Sequence, residues 1–162
     1  MTMTNTEVNN LLEDINDASQ ANAYLSASAD TTITTGGAGN WYPVQGTFVN
    51  DFTNFELDTD KIKYIGTETY EFEVDMHAKF ATDKTSETTN ITLKHDGVAC
   101  ENCKMGAYLK TADEPMNVSS THIVTLEPND TLQIVVQSDE AGAVLTFGQF
   151  VLTATKYTLP RI

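Results

Sequence analysis

The chain has 162 residues, enough for one domain plus a short extension and for a core that stands without disulfides. It carries 9 Lys+Arg against 23 Asp+Glu, a formal net charge of −14, and a balance of that sign repels phosphate backbones, which excludes nucleic acid as the expected partner. No apolar run approaches the roughly 20 residues of a spanning helix, and no Lys or Arg precedes Lys61, so neither membrane insertion nor a basic leader is expected and synthesis in the cytoplasm is.

Residues 1–30 differ in composition from the rest. Val8, Leu11, Leu12 and Ile15 follow helical spacing, and Thr4 with Glu7 has the spacing of a capping box. The pattern predicts a short helix ending near Ser19, too short to be stable alone because nucleation is costly, so its apolar face must dock on something or pair with copies of itself. Residues 18–32 are mostly Ala, Ser, Asn, Asp and Thr, the composition of an extended linker. The expected organisation is an attachment arm over residues 1–30 and a globular domain over 31–162.

The break at Gly36-Gly37-Ala38-Gly39-Asn40 is followed by Trp41 and by short runs of alternating aromatic, aliphatic and polar residues up to Leu57. Lys61–Ile65 reads as a strand closed by Gly66. Tyr70–Phe80 is the cleanest period-2 segment: Tyr70, Phe72, Val74, Met76, Ala78 and Phe80 share one face, and Glu71, Glu73, Asp75, His77 and Lys79 the other. Ala81–Thr89 reads as an exposed polar loop. Thr88–His95 is the next strand, and Asp96-Gly97 a hairpin signal.

Cys100 and Cys103 form a Cys-Glu-Asn-Cys segment that is half of a zinc pattern. The spacing of His95 and His122 to the pair matches no standard site, so a loop with two thiols or with a local disulfide is the expected state. Met105, Ala107 and Leu109 form an inward row, Thr111–Met116 a turn region, and Val118–Leu126 a strand. In Thr131–Gln137, Leu132, Ile134 and Val136 point one way. The last strand, Ala143–Tyr157, is apolar on both parities: Val144, Phe150 and Leu152 on one, Leu145, Phe147 and Val151 on the other. Either both faces are covered, one of them by another subunit, or a β-bulge resets the parity.

About eight to ten short strands, frequent turns and no strong helix after residue 20 make an all-β, two-sheet antiparallel jelly-roll sandwich the expected fold, with a helical arm at its N-terminus. No Gly-x-Ser-x-Gly elbow, phosphate-binding loop or His-Glu-x-x-His segment is present, and Glu71 and Glu73 lie on an outer face where carboxylates stay solvated. No catalytic, cofactor-binding or metal-binding residue is expected.

The order of weak motifs carries a resemblance. Trp41, Gly46-Thr47-Phe48, Phe52-Thr53-Asn54-Phe55, Ile62–Glu68, Tyr70–Val74, Lys94-His95-Asp96-Gly97 and Leu126–Ile134 resemble the tumour-necrosis-factor-like jelly roll in its complement-globular-head branch, over roughly residues 41–157. The family has Lys-Asn-Gly where this chain has Lys94-His95-Asp96-Gly97, and the cysteine pair is not a family feature. Similar domains occur in bacteriophage virion proteins.

The resemblance implies a ten-strand jelly roll and a homotrimer, with Tyr64, Phe147, Phe150 and Val151 as candidates for the trimer interface or for the core. It implies a non-enzymatic virion protein on the capsid surface: a capsid decoration protein or head fibre. Val8, Leu11, Leu12 and Ile15 would anchor it to the major capsid protein or another virion protein. The alternative is the receptor- or glycan-binding tip of a phage fibre, with Tyr42 and Tyr108 as contacts for a host surface glycan. Some relatives bind calcium; Asp58, Asp60, Asp130 and Asp139 are acidic loop residues, but they form no recognised calcium loop and read as surface charge.

Overall fold

A computed structural model describes residues 2–11, 22–27, 31–45 and 48–157. Residues 5–11 are helical. After them come β1 (Asn22–Ala27), β2 (Thr31–Thr34), β3 (Tyr42–Pro43), β4 (Phe48–Thr53), β5 (Phe55–Asp58), β6 (Lys61–Tyr64) and β7 (Tyr70–Thr82). The chain continues through β8 (Glu87–His95), β9 (Val98–Ala99), a 3-10 turn (Glu101–Cys103), β10 (Met105–Leu109), β11 (Met116–Leu126), β12 (Thr131–Ser138) and β13 (Val144–Lys156).

The strands form two antiparallel sheets. One has the order β11-β7-β13-β1-β4, with β2 beside β13, and the other the order β10-β8-β12-β6-β5, with β3 beside β12 and β9 beside β8. This is the expected two-sheet jelly roll. Pairing of β1 and β2 with β13 makes Asn22–Ala27 and Thr31–Thr34 integral parts of the first sheet, and Ala23, Leu25 and Ile33 are buried in the core. The expectation of a linker over residues 18–32, with the domain beginning at 31, is corrected accordingly: β1 at Asn22–Ala27 already belongs to the sandwich. Inside β1, Ala23 faces Ala154 and Leu25 faces Leu152 across the ladder, while the Ala, Ser and Asn content of the segment also suits a linker.

Inward faces follow the period-2 pattern. Phe72, Val74, Met76, Ala78 and Phe80 of β7 and Leu132, Ile134 and Val136 of β12 are all buried. Aromatic rings gather in two groups. Phe55, Tyr64 and Phe72 meet with centroids 5.2–5.3 Å apart at one end. At the other, Phe147 lies 5.5 Å from Phe80 and 6.4 Å from Phe150. Each buried large side chain contributes roughly 1.5–3 kcal/mol through the water it releases, so these clusters anchor the two sheets to one another. Gly66 belongs to the first cluster: a Cβ there would lie 2.1 Å from the Tyr64 hydroxyl, which donates to the Glu68 carbonyl at 2.9 Å.

The last strand settles the question its sequence raised. The register between β13 and β7 shifts between Phe147 and Gln149, so Gly148 is the extra residue of a β-bulge. Leu145 and Phe147 point inward before the bulge, Phe150, Leu152 and Ala154 after it, and all five are buried. The bulge, rather than a neighbouring subunit, explains apolar residues on both parities.

Ala81–Thr89 is a second correction. β7 runs on to Thr82 and β8 starts at Glu87, which leaves 83–86 as the loop. Thr82, Glu87 and Thr89 are buried. The polar run hides a hydrogen-bonded cluster, in which the hydroxyls of Thr82, Thr89 and Ser138 all donate to the Glu87 carboxylate.

Candidate functional site

A groove of about 830 Å³ runs along the margin of the sandwich, between edge strand β11 and the β8–β9 hairpin. Its wall on one sheet comes from His122, Ile123, Val124 and Thr125 of β11, and on the other from Leu93, His95, Val98 and the Cys100–Cys103 turn. Local chemistry explains its shape. Asp96 and Gly97 take φ of 48° and 80°, the pair of positive values that a two-residue type I′ hairpin requires, so the Asp-Gly signal is realised. The return strand then leaves the ladder. Cys100 N–H donates to the Leu93 carbonyl, the 3-10 turn follows, and pairing resumes at Met105 with Ile91. A Cys100–Cys103 disulfide closes that excursion, with Cα atoms 5.2 Å apart. Thr92 Oγ1 holds it to the strand by donating to the Cys100 carbonyl at 2.6 Å.

At one end of the groove three side chains converge. His95 pairs with Leu132 in the ladder, so the hairpin tip lies beside the turn that leads into β12. Asp96 N–H donates to the Thr131 carbonyl at 3.0 Å, and Thr131 N–H returns a bond to Asp96 Oδ1 at 2.7 Å. Asp130 Oδ2 accepts from the Glu127 N–H at 2.9 Å and lies 2.7 Å from His95 Nε2. The ligand atoms of His95, Asp96 and Asp130 all lie within 4.8 Å of one another, and no other group of three such side chains is this close among the described residues. Burial acts to raise the Asp130 pKa. Hydrogen bonds from the Glu127 N–H, His95 and Asp96, with the charge of His95, outweigh it and hold the carboxyl below its ordinary value.

No protein-family model matches the chain, and no curated protein matches its sequence. Solved structures do match. The chain is similar to the structure of Eiger TNF from S. frugiperda, with a TM-score of 0.59 at 12% identity over 88% of this chain and 97% of that one. It is similar to murine APRIL at a TM-score of 0.59 and 12% identity, over 83% of this chain and 98% of that one.

The fold is tumour-necrosis-factor-like.

Within the TNF-like sandwich the expected site residues fall in different places. Tyr64, Phe147 and Phe150 fill the protomer's own core, at 1%, 0% and 3% exposure, so their proposed place in a trimer interface is corrected: they have no surface to offer a neighbour. Val151 is half-buried on the outer face of the first sheet, opposite His77. Val8 and Leu11 are exposed on the helical segment, whereas Leu12 and Ile15 lie outside the described residues. The capping box is formed. Thr4 N–H donates to Glu7 Oε2 at 2.7 Å, and Glu7 N–H to Thr4 Oγ1 at 3.2 Å. The bond from the Thr4 backbone, then that from its side chain, lowers the Glu7 pKa.

Of the four acidic loop residues considered for calcium, only Asp130 enters the convergent group. Asp60 accepts from Gln45, and Asp139 caps the Thr88 N–H. Tyr42 is structural: its hydroxyl accepts from the Gly37 N–H at 2.7 Å and its ring packs on the core. Tyr108 stands 60% exposed. Asp96 was legible in the sequence as a turn residue only. Its nearness to Asp130, 34 positions away, comes from the β8–β12 register, which no local signal reveals.

Proposed function

We propose that the chain is a non-enzymatic, homotrimeric structural protein of a bacteriophage particle, a capsid decoration protein or head fibre whose N-terminal arm attaches it to a capsid or other virion protein. The observation that carries the reading is the capped helical segment with Met3, Val8 and Leu11 exposed, apolar side chains outside the sandwich core in a chain that is otherwise strongly acidic. An exposed apolar helical face of this kind suits a groove on a partner. Three such arms on one trimer would act together, so weak individual docking becomes firm attachment.

The assembly face in this reading is the outer side of the first sheet. Across it run Val49, Ser26 and Val151 in one row and Asp51, Tyr24 and Thr153 in the next, with Ile123 beyond on β11. Tyr24, Val49 and Ile123 are 41%, 53% and 47% exposed there. The outer side of the other sheet carries Lys61, Lys63 and Lys94, and lysine is depleted from interfaces, whereas the charged residues of the first sheet lie mainly along β7, at Glu71, Glu73, Asp75, His77 and Lys79. The second reading, a glycan-binding tip, has Tyr108 as its supporting observation.

Deletion of residues 1–21 tests the proposal. The truncated protein is expected to keep its trimeric mass in light scattering and to lose binding to purified particles. Particle binding that survives the deletion, or glycan-array binding by the truncated trimer in its place, overturns the attachment role.

A further inference from the structure

We propose that His95, Asp96 and Asp130 form a binding site for one divalent transition-metal ion, with Zn2+ the best-suited cation. The inference is independent of the virion reading.

The donor set comes first. One imidazole nitrogen and two carboxylates suit Zn2+ better than Ca2+ or Mg2+, which prefer all-oxygen shells. Zn2+ holds such ligands at about 2.0–2.2 Å, which places them roughly 3.3–3.6 Å apart in a tetrahedron. Ligand atoms already gathered within 4.8 Å need only side-chain adjustment to reach that spacing.

Charge supplies a second, separate argument. Ligand oxygens of Asp96 and Asp130 lie within 4.8 Å of one another. Bringing two carboxylates together is unfavourable unless a cation or a proton lies between them. The chain as a whole is at −14, so nothing long-range offsets that repulsion. Only one oxygen of each is committed among the described residues: Asp96 Oδ1 to Thr131, Asp130 Oδ2 to Glu127 and His95. The other oxygen of each is left for a ligand.

The scaffold is rigid where it matters. Asp96 is fixed by the reciprocal bonds with Thr131, and the turn before β12 is tied to β6 by Asn129 N–H donating to the Tyr64 carbonyl at 2.8 Å. Sites held on paired strands keep their geometry better than sites on free loops. The groove leaves the triad open to solvent, which gives the ion an entry path and allows water to complete its coordination. On binding, His95 Nε2 gives up its contact with Asp130 and presents its lone pair to the metal. Any proton on Nε2 leaves to solvent, while Nδ1 keeps its own.

Calorimetry on the chelator-treated full chain tests the site, with ZnCl2 and CaCl2 titrated separately. One Zn2+ per chain is expected, bound more tightly than Ca2+. His95→Ala, Asp96→Asn and Asp130→Asn should each weaken Zn2+ by about tenfold or more, and Asp58→Asn should leave it unchanged. Amide NMR of the unsubstituted protein guards against variants that fail to fold: Zn2+ should shift residues 95–97 and 127–131 first. Absence of saturable Zn2+ binding, undiminished binding in a folded His95→Ala protein, tighter Ca2+ binding, or shifts centred elsewhere would each overturn the assignment.

Discussion

Glu87 lies wholly inside the sandwich with its carboxylate taking hydrogen bonds from Thr82, Thr89 and Ser138, side chains that are themselves buried. A buried polar group is tolerable only when its partners are present, and here each hydroxyl also depends on the carboxylate. Glu87→Ala should therefore lower stability by about 3 kcal/mol or more in urea unfolding, because it leaves several donors without an acceptor. Glu87→Gln, which keeps one carbonyl oxygen, should cost less. Equal effects for the two substitutions would mean that the packing of the side chain matters rather than its oxygens. Nothing in the run Asp83-Lys84-Thr85-Ser86-Glu87-Thr88-Thr89 marks the fifth residue as interior. Its burial follows from where β8 begins, and that is set by pairing with β10 and β12.

Among the elements, β13 shows how one residue sets the orientation of a strand. Gly148 is the extra residue that lets Phe147 and Phe150 both face the core although they are three positions apart. Deleting Gly148 would leave Phe147 and Phe150 two positions apart, so plain alternation against Phe80 and Ala78 would keep Phe150, Leu152 and Ala154 facing the core. The deletion should therefore preserve cooperative unfolding in circular dichroism, and its loss would show that the strand needs the bulge itself rather than the alternation it resets. Phe147→Ala should instead leave a folded protein that is less stable by about 3–5 kcal/mol with an unchanged assembly state. A loss of assembly with full monomer stability would return Phe147 to an interface. The other element worth noting is β1, whose small residues Ala23 and Ser26 read as a linker in isolation. Next to β13 and β4 the same residues fit a central strand.

At the scale of the whole molecule, the two sheets present unlike outer surfaces. One is rich in Thr and Ser, with Tyr24, Val49 and Ile123 exposed and the charged residues of β7 crossing it; the other carries Lys61, Lys63 and Lys94, with Lys63 held to Glu56 at 3.3 Å. If copies associate through the first, Tyr24→Asp and Val49→Asp should each move the mass measured by light scattering toward that of the monomer. Lys94→Asp, on the opposite sheet, should not. Acidic side chains are chosen because copies meeting through this face would bring like charges together, which costs more than losing one apolar contact. Dissociation by Lys94→Asp alone would place the interface on the other sheet.

The sequence by itself determined the fold class, the inward rows of β7 and β12, the Asp96-Gly97 hairpin and the Thr4–Glu7 cap, all of which depend on residues within a few positions of one another. Tertiary structure decided the rest. Only the strand register brings Asp96 beside Asp130, only pairing with β7 exposes the bulge at Gly148, and only packing against β12 brings Ser138 to Glu87. The physical reason is common to all three: side-chain alternation is a local property of a strand, but which strands meet, and in which register, depends on contacts between residues far apart in the chain.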